Sequence, residues 1–200
     1  TREIAMHAAL LIIDMQNDFV LPGAPLCVRG AAPSVPAIRR LLLQARTQGL
    51  PVIHIIRQHN RDGSDVEKPR QELFQEGPGI CVPGTEGAQI VAALTPEPGE
   101  YIVHKRRFSA FFQTELDMLL RRLGVDTLLV TGTQYPNCVR GTAVDGMSLD
   151  YDVIVVTDAC SAQTPDVEQA NIRDMRNMGI RCLPLNELPP LTELPRFGGI

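Results

Sequence analysis

Tryptophan is absent from this 200-residue chain, and Tyr and Phe bring the aromatic share to only 4%. That is too few rings for a platform that stacks single-stranded nucleic acid. A net charge of −4 and a pI near 5.6 exclude the basic footprint of a general nucleic-acid binder. No apolar run approaches the roughly 20 residues of a membrane helix, and the N-terminal Thr-Arg-Glu-Ile-Ala-Met lacks a signal-peptide layout. Five cysteines, an odd set with no Cys-x-x-Cys pair, make neither a disulfide framework nor a zinc cluster. A cytoplasmic, reducing compartment is therefore expected. Lysine is scarce as well: Lys68 and Lys105 are the two lysines among nineteen basic residues.

What is present is ordinary globular composition, 44% hydrophobic and 21% charged, in a chain long enough to bury about 70% of its unfolded surface. One domain over residues 1–200 is expected. Apolar runs read as strands at 8–13, 51–56, 101–105, 126–131, 152–157 and 181–185. Helical spacing appears over about 34–48, 88–94, 114–123, 138–149 and 165–178. Between 57 and 87 the chain turns polar and rich in Gly, Pro and charge, and a segment of that length usually has a function. Strands alternating with helices predict an α/β fold with a parallel sheet, whose chemistry gathers at the carboxyl ends of its strands.

Asp14, Lys105 and the Gly132–Cys138 turn stand at those ends. Cys138 is placed at a helix N-terminus with Asn137 as N-cap, where amide N–H groups and the helix dipole would lower its pKa and receive an oxyanion. Asp14 closes an apolar strand, an environment that tunes a carboxyl for proton transfer. A thiol with a base and a cation suits acyl transfer. Against this stand blander readings: a buried structural cysteine, a turn aspartate and a solvated basic cluster at Lys105–Arg107.

Three segments carry a resemblance. Asp14-Met-Gln-Asn-Asp-Phe19, His104-Lys-Arg-Arg-Phe108-Ser-Ala-Phe111-Phe and Gly132-Thr-Gln-Tyr-Pro-Asn-Cys138-Val-Arg140 resemble the isochorismatase-like cysteine hydrolases. The likeness runs from about residue 8 to 186. It implies a three-layer α/β/α fold with a six-stranded parallel sheet in the order 3-2-1-4-5-6. It also implies a triad of Asp14, Lys105 and Cys138, a cis peptide at Thr133-Gln134, and an oxyanion hole from the backbone N–H groups of Gln134 and Cys138. The substrate would be a small amide or ureido compound cleaved through a thioester. A homo-oligomer, dimer or tetramer, is implied too, with the 57–87 loop or the Pro-rich tail as candidate contacts. A nicotinamidase-like amidase, a non-catalytic binding module and a thiol-redox enzyme are the alternatives. The last lacks a paired cysteine near Cys138.

Nicotinamidases in this family bear an Asp-x-His metal motif after the second strand; here the stretch reads Ile56-Arg57-Gln58-His59-Asn60. No metal and no cofactor are therefore expected, and His59 is read as a hydrogen-bonded residue. The following Gly63-Ser-Asp-Val-Glu67 is similar to members acting on ureidoacrylate, biuret or triuret. Arg61 and Arg70 are candidates to grip a carboxylate or urea oxygen, unless they pair with Asp62, Asp65 or Glu67. Phe19, Phe108 and Phe111 are candidate pocket walls, and Gln134 and Tyr135 candidate substrate contacts. Of the two lysines, Lys105 falls on the triad position, where a compact ammonium fits between two groups that a planar guanidinium would crowd.

Overall fold

The computed structural model describes residues 7–194; the N-terminal hexapeptide and the end of the Pro-rich tail lie outside them. Six strands form a single parallel sheet in the order β3-β2-β1-β4-β5-β6. They are β1 (Ala8–Ile13), β2 (Val52–Arg57), β3 (Tyr101–Lys105), β4 (Thr127–Thr133), β5 (Asp152–Ser161) and β6 (Arg181–Leu183). β1 is buried at every position because both its faces are covered. Leu10 and Ile12 point into one apolar cluster and Ala9, Leu11 and Ile13 into the other, the two-residue alternation of a pleated strand.

Helix α2 (Ala31–Gln48) covers the first face with Ile38, Leu41, Leu42 and Ala45. Gly49, left-handed at φ 71°, ends it, a conformation glycine adopts without steric cost. Helix α2 starts three residues earlier than its apolar spacing suggested, since Pro33 falls in the first turn, where its missing N–H has no intrahelical partner to lose. Helices α4 (Leu116–Arg122), α5 (Arg140–Ser148) and α6 (Pro165–Asn177) cover the other face. Short helices α1 (Asn17–Val20) and α3 (Glu72–Gln75) lie in the connections after β1 and β2. No described helix is long and apolar enough to cross a membrane.

Two local expectations need correction. Residues 88–94 are not a helix. Only Ala92–Leu94 forms a 3-10 turn, because Gln89 and Ile90 pair instead with the 15–17 segment (Asn17 N–H to Gln89 O, 2.9 Å). The helix after β4 does not begin at an Asn137 cap; a π-helical turn, Tyr135–Val139, precedes α5. The described part of the Pro-rich tail packs on its own chain, with Leu185, Leu191 and Leu194 buried in the α2 cluster.

Glu100, just before β3, ties that edge strand inward. Its carboxylate accepts from Arg46 Nε on α2 (2.6 Å), from the Glu97 N–H (3.0 Å) and from His54 Nε2 on β2 (2.8 Å). Burial alone would raise its pKa, but these hydrogen bonds outweigh burial and hold it at about 2. Burial likewise lowers the His54 pKa despite Glu100. A depressed carboxyl stabilises the fold above its unfolded pKa, and the gain is lost as pH falls toward 2. Glu100→Gln is therefore expected to cost about 1–3 kcal/mol at neutral pH. Urea unfolding should show the gap to the parent narrowing in acid; a gap constant across that range would refute the pairing.

Candidate active site

β1 and β4 lie side by side at the centre, where the strand order reverses, and a crevice opens beyond their carboxyl ends. Gly132 makes that junction possible. Its φ is 113°, and a Cβ there would strike the backbone of Ile13 on β1. The peptide Thr133-Gln134 is cis. Asp14 leaves β1 in a left-handed conformation (φ 53°), its N–H bonded to Ile55 O at 2.8 Å.

Lys105 ends β3, two strands away, and its side chain spans the gap. Nζ lies 2.8 Å from Asp14 Oδ2, 3.3 Å from Cys138 Sγ and 2.9 Å from the carbonyl oxygen of Arg107. Asp14 and Lys105 are each 1% exposed and Cys138 6%. Asp14 Oδ1 is buried without a hydrogen-bond partner, an acceptor open to a proton. The Cys138 thiol is not lowered as a helix N-terminus would make it. Burial, reinforced by the Asp14 charge, pushes it up to about 11 against the opposing pull of Lys105 and Arg57. The resting arrangement is thus a neutral thiol beside a carboxylate–ammonium pair. Burial also raises Cys81, Cys160 and Cys182, so contact with the ammonium, not acidity, distinguishes Cys138.

A cavity of about 280 Å³ opens on the sulfur, lined by Asp14, Phe19, Arg57, Arg70, Gln134, Asn137 and Cys138 and roofed by residues 24–28. Gln163 holds that roof, accepting from Arg29 N–H (3.2 Å) and donating to Cys27 O (3.0 Å). Of the residues expected to touch substrate, Phe19, Arg70 and Gln134 reach the cavity and four do not. Arg61 is exposed elsewhere on the loop. Phe108 is exposed outside the cavity lining, 5.3 Å from the Arg57 guanidinium and 5.0 Å from that of Arg70. Phe111 stacks on Tyr151 at 5.7 Å, packed in the core beside α5. Tyr135 is fully buried and donates its hydroxyl to Thr157 O at 2.7 Å. These last two extend the hydrophobic core.

Arg57 was not foreseen as a site residue. It is 1% exposed, its guanidinium paired with both Glu67 oxygens (2.9 and 3.0 Å), its backbone N–H and C=O clamped by the Gln16 side chain. The signal was available: like Asp14 and Lys105, it ends a strand. Loop acids do form ion pairs, but Glu67 takes Arg57 and Asp65 takes Arg106, so neither Arg61 nor Arg70 is involved. His59 Nε2 lies 3.2 Å from Arg57 Nη1. A guanidinium only donates, so Nε2 accepts and the proton sits on Nδ1, which faces Asp65 at 3.4 Å. Nε2 is thus engaged, while the buried Nδ1 makes no hydrogen bond. No group of three His, Cys, Asp or Glu suited to a metal occurs among the described residues.

The sequence matches the isochorismatase domain over residues 8–187. A protein of Arabidopsis thaliana described as a probable inactive nicotinamidase is 44% identical over 184 residues, 90% of this chain and 94% of that one. A maleamate amidohydrolase of Pseudomonas putida is 34% identical, covering 84% and 78%. A ureidoacrylate amidohydrolase of Caulobacter vibrioides is 33% identical, covering 80% of each. Among solved structures, an isochorismatase family protein from Desulfovibrio vulgaris superposes with a TM-score of 0.89 at 65% identity, covering 90% and 95%.

Asp14→Asn removes the negative charge that opposes ionisation of Cys138 and leaves Lys105 in place. The thiolate should then form at lower pH than in the parent. Thiolate ultraviolet absorbance against a Cys138→Ser blank measures this; a titration that stays put or moves upward would contradict the arrangement.

Proposed function

This chain belongs to the isochorismatase family, and from that premise we propose that it is a cysteine-dependent amidohydrolase. It would cleave a C–N bond of a small amide or ureido compound through a thioester. The observation that carries the reading is the Lys105 ammonium within hydrogen-bonding distance of both the Asp14 carboxylate and the Cys138 sulfur, in a buried cavity at the strand crossover.

Asp14 takes the thiol proton as the sulfur attacks the carbonyl carbon. Proton transfer by itself leaves the trio without net charge, Lys105 facing first the carboxylate and then the thiolate, and bond formation moves the negative charge from sulfur to the carbonyl oxygen. Oxyanion charge falls on the N–H groups of Gln134 and Cys138. The protonated Asp14 gives its proton to the departing ammonia or amine as the C–N bond breaks. Water then attacks the thioester with Asp14 as base, and Cys138 leaves as a thiol. The same reading assigns the enzyme to the cytoplasm as a homo-oligomer, in keeping with five free cysteines.

A nicotinamidase reading is disfavoured by Arg57, and by a His59 whose Nε2 is turned to that guanidinium, at the position of the family's metal motif. A catalytically silent binding protein, as the description of the Arabidopsis thaliana relative suggests for that chain, is disfavoured by the complete and connected triad.

Ammonia release should be screened over biuret, triuret, ureidoacrylate, N-carbamoyl amino acids and nicotinamide. On any accepted substrate, Cys138→Ser and Lys105→Arg should each lose at least about 10³-fold in kcat. Lys68→Arg, on the exposed turn of the loop, should retain it. No turnover of any compound, with parent and Cys138→Ser alike, would favour the binding protein.

A further inference from the structure

Residues 24–28 roof the cavity over Cys138, and the bonds that hold this roof differ in kind. Towards α1 it is anchored backbone to backbone. Leu26 N–H donates to Asp18 O (3.2 Å) and Val28 N–H to Phe19 O (2.8 Å), and Val28 is buried in the α2 cluster. Towards α2 it meets the chain just past β5. There Gly30 N–H donates to Ala162 O at 3.1 Å, an approach so close that a Cβ on Gly30 would lie 2.8 Å from that oxygen. Two further bonds of this seam pass through one side chain. Gln163 accepts from Arg29 N–H and donates to Cys27 O, both at the exposed surface. The same Gln163 also lines the cavity.

A carboxamide suits this seam because it supplies an acceptor and a donor at once. Exposed hydrogen bonds open more readily than buried ones, so the roof can part here while the Val28 anchor and the sheet stay in place. The segment past β5 also reaches the nucleophile turn. Ser161 at the end of β5 donates its hydroxyl to Thr133 Oγ1 at 2.9 Å, and Thr133 lines the cavity with Gln134. One stretch of chain therefore fixes the roof relative to the turn that carries Cys138. We propose that Gln163 is a positioning residue, the latch of this roof: by holding residues 27–29 in place it limits the size of the electrophile that reaches the Cys138 sulfur. Small flat carbonyl compounds pass and bulky ones do not. The natural electrophile rests on the amidohydrolase reading, but the size limit itself does not depend on turnover.

The test is therefore made on the sulfur, in a Cys27→Ser background that leaves no second thiol in the roof. Peptide mass analysis follows alkylation of Cys138 by iodoacetamide and by the bulkier N-phenylmaleimide, each rate divided by that of free cysteine. With Gln163 present, the smaller reagent should be favoured. Gln163→Ala should shrink that preference about 10-fold, and Gln163→Glu, which keeps only the acceptor, should fall between. Amide hydrogen exchange reads the latch directly. Arg29 should exchange about 10-fold faster in Gln163→Ala and stay largely protected in Gln163→Glu, while Val28 stays protected in all three. Absence of a size preference with Gln163 present, a preference that survives Gln163→Ala, or loss of Val28 protection together with Arg29 overturns the inference. If Gln163→Ala relaxes the size limit while the parent protein releases no ammonia from any amide, the amidohydrolase reading fails and the latch stands.

Discussion

A buried ammonium needs compensation on every side, and the position of Lys105 sets much of what surrounds it. Removing a charge from water costs several kcal/mol unless well-aligned partners replace the lost hydration. Here the three donors of Nζ find a carboxylate, a backbone carbonyl and a sulfur. Each comes from a different stretch of chain: Asp14 from the end of β1, Arg107 from just beyond β3, Cys138 from the turn after β4. The central strands must therefore end at matching heights. Gly132 serves that requirement, because it lets β4 close on Ile13 where a side chain would hold the strands apart.

The same constraint explains the long polar segment after β2. Arg57 and Lys105 are paired residues on neighbouring strands, both almost wholly buried. Two adjacent cations would repel strongly at such a site. Asp14 answers one of them. The chain from 58 to 67 answers the other by returning Glu67 to Arg57, and Asp65 fixes that return through Arg106 and the Asn60 N–H. The loop is thus less a flexible cover than a counter-charge carried back to the sheet. Gln16 completes the clamp by holding Arg57 at its backbone rather than at its charge.

Much of this was legible in the sequence, for an identifiable reason. Apolar runs ending in charge marked Asp14 and Lys105, and strand–helix alternation marked the class of sheet. The strand order came from the family resemblance and not from periodicity. What escaped was phase. β4 runs on to Thr133, through an irregular register between Val130 and Gly132, and a π turn follows in place of a capped α-helix. That shift sends Gln134 to the cavity and Tyr135 to the core, a choice that composition does not encode. Phe111 went inward because Gly146 on α5 leaves the space its ring occupies. Arg57 ends its strand as Asp14 and Lys105 do, but its pairing with Glu67, ten residues along a loop with no repeating pattern, was not legible.

The Cys138 thiol, pushed up to about 11, alters what activation means at this site. A thiol-redox role would favour a standing thiolate, since the thiolate is the attacking species in disulfide exchange. Burial favours the protonated thiol and restricts access by bulky reagents. Reactivity then depends on an electrophile placed against sulfur while Asp14 accepts the proton, so that bond formation and proton transfer support one another. The Lys105 ammonium makes that exchange feasible because it touches donor and acceptor alike and needs no movement as the charge passes between them. A group that must be positioned before it can react selects for substrates that fill the cavity correctly. Placement of the substrate, rather than acidity of the nucleophile, is what this arrangement of three buried groups is built to reward.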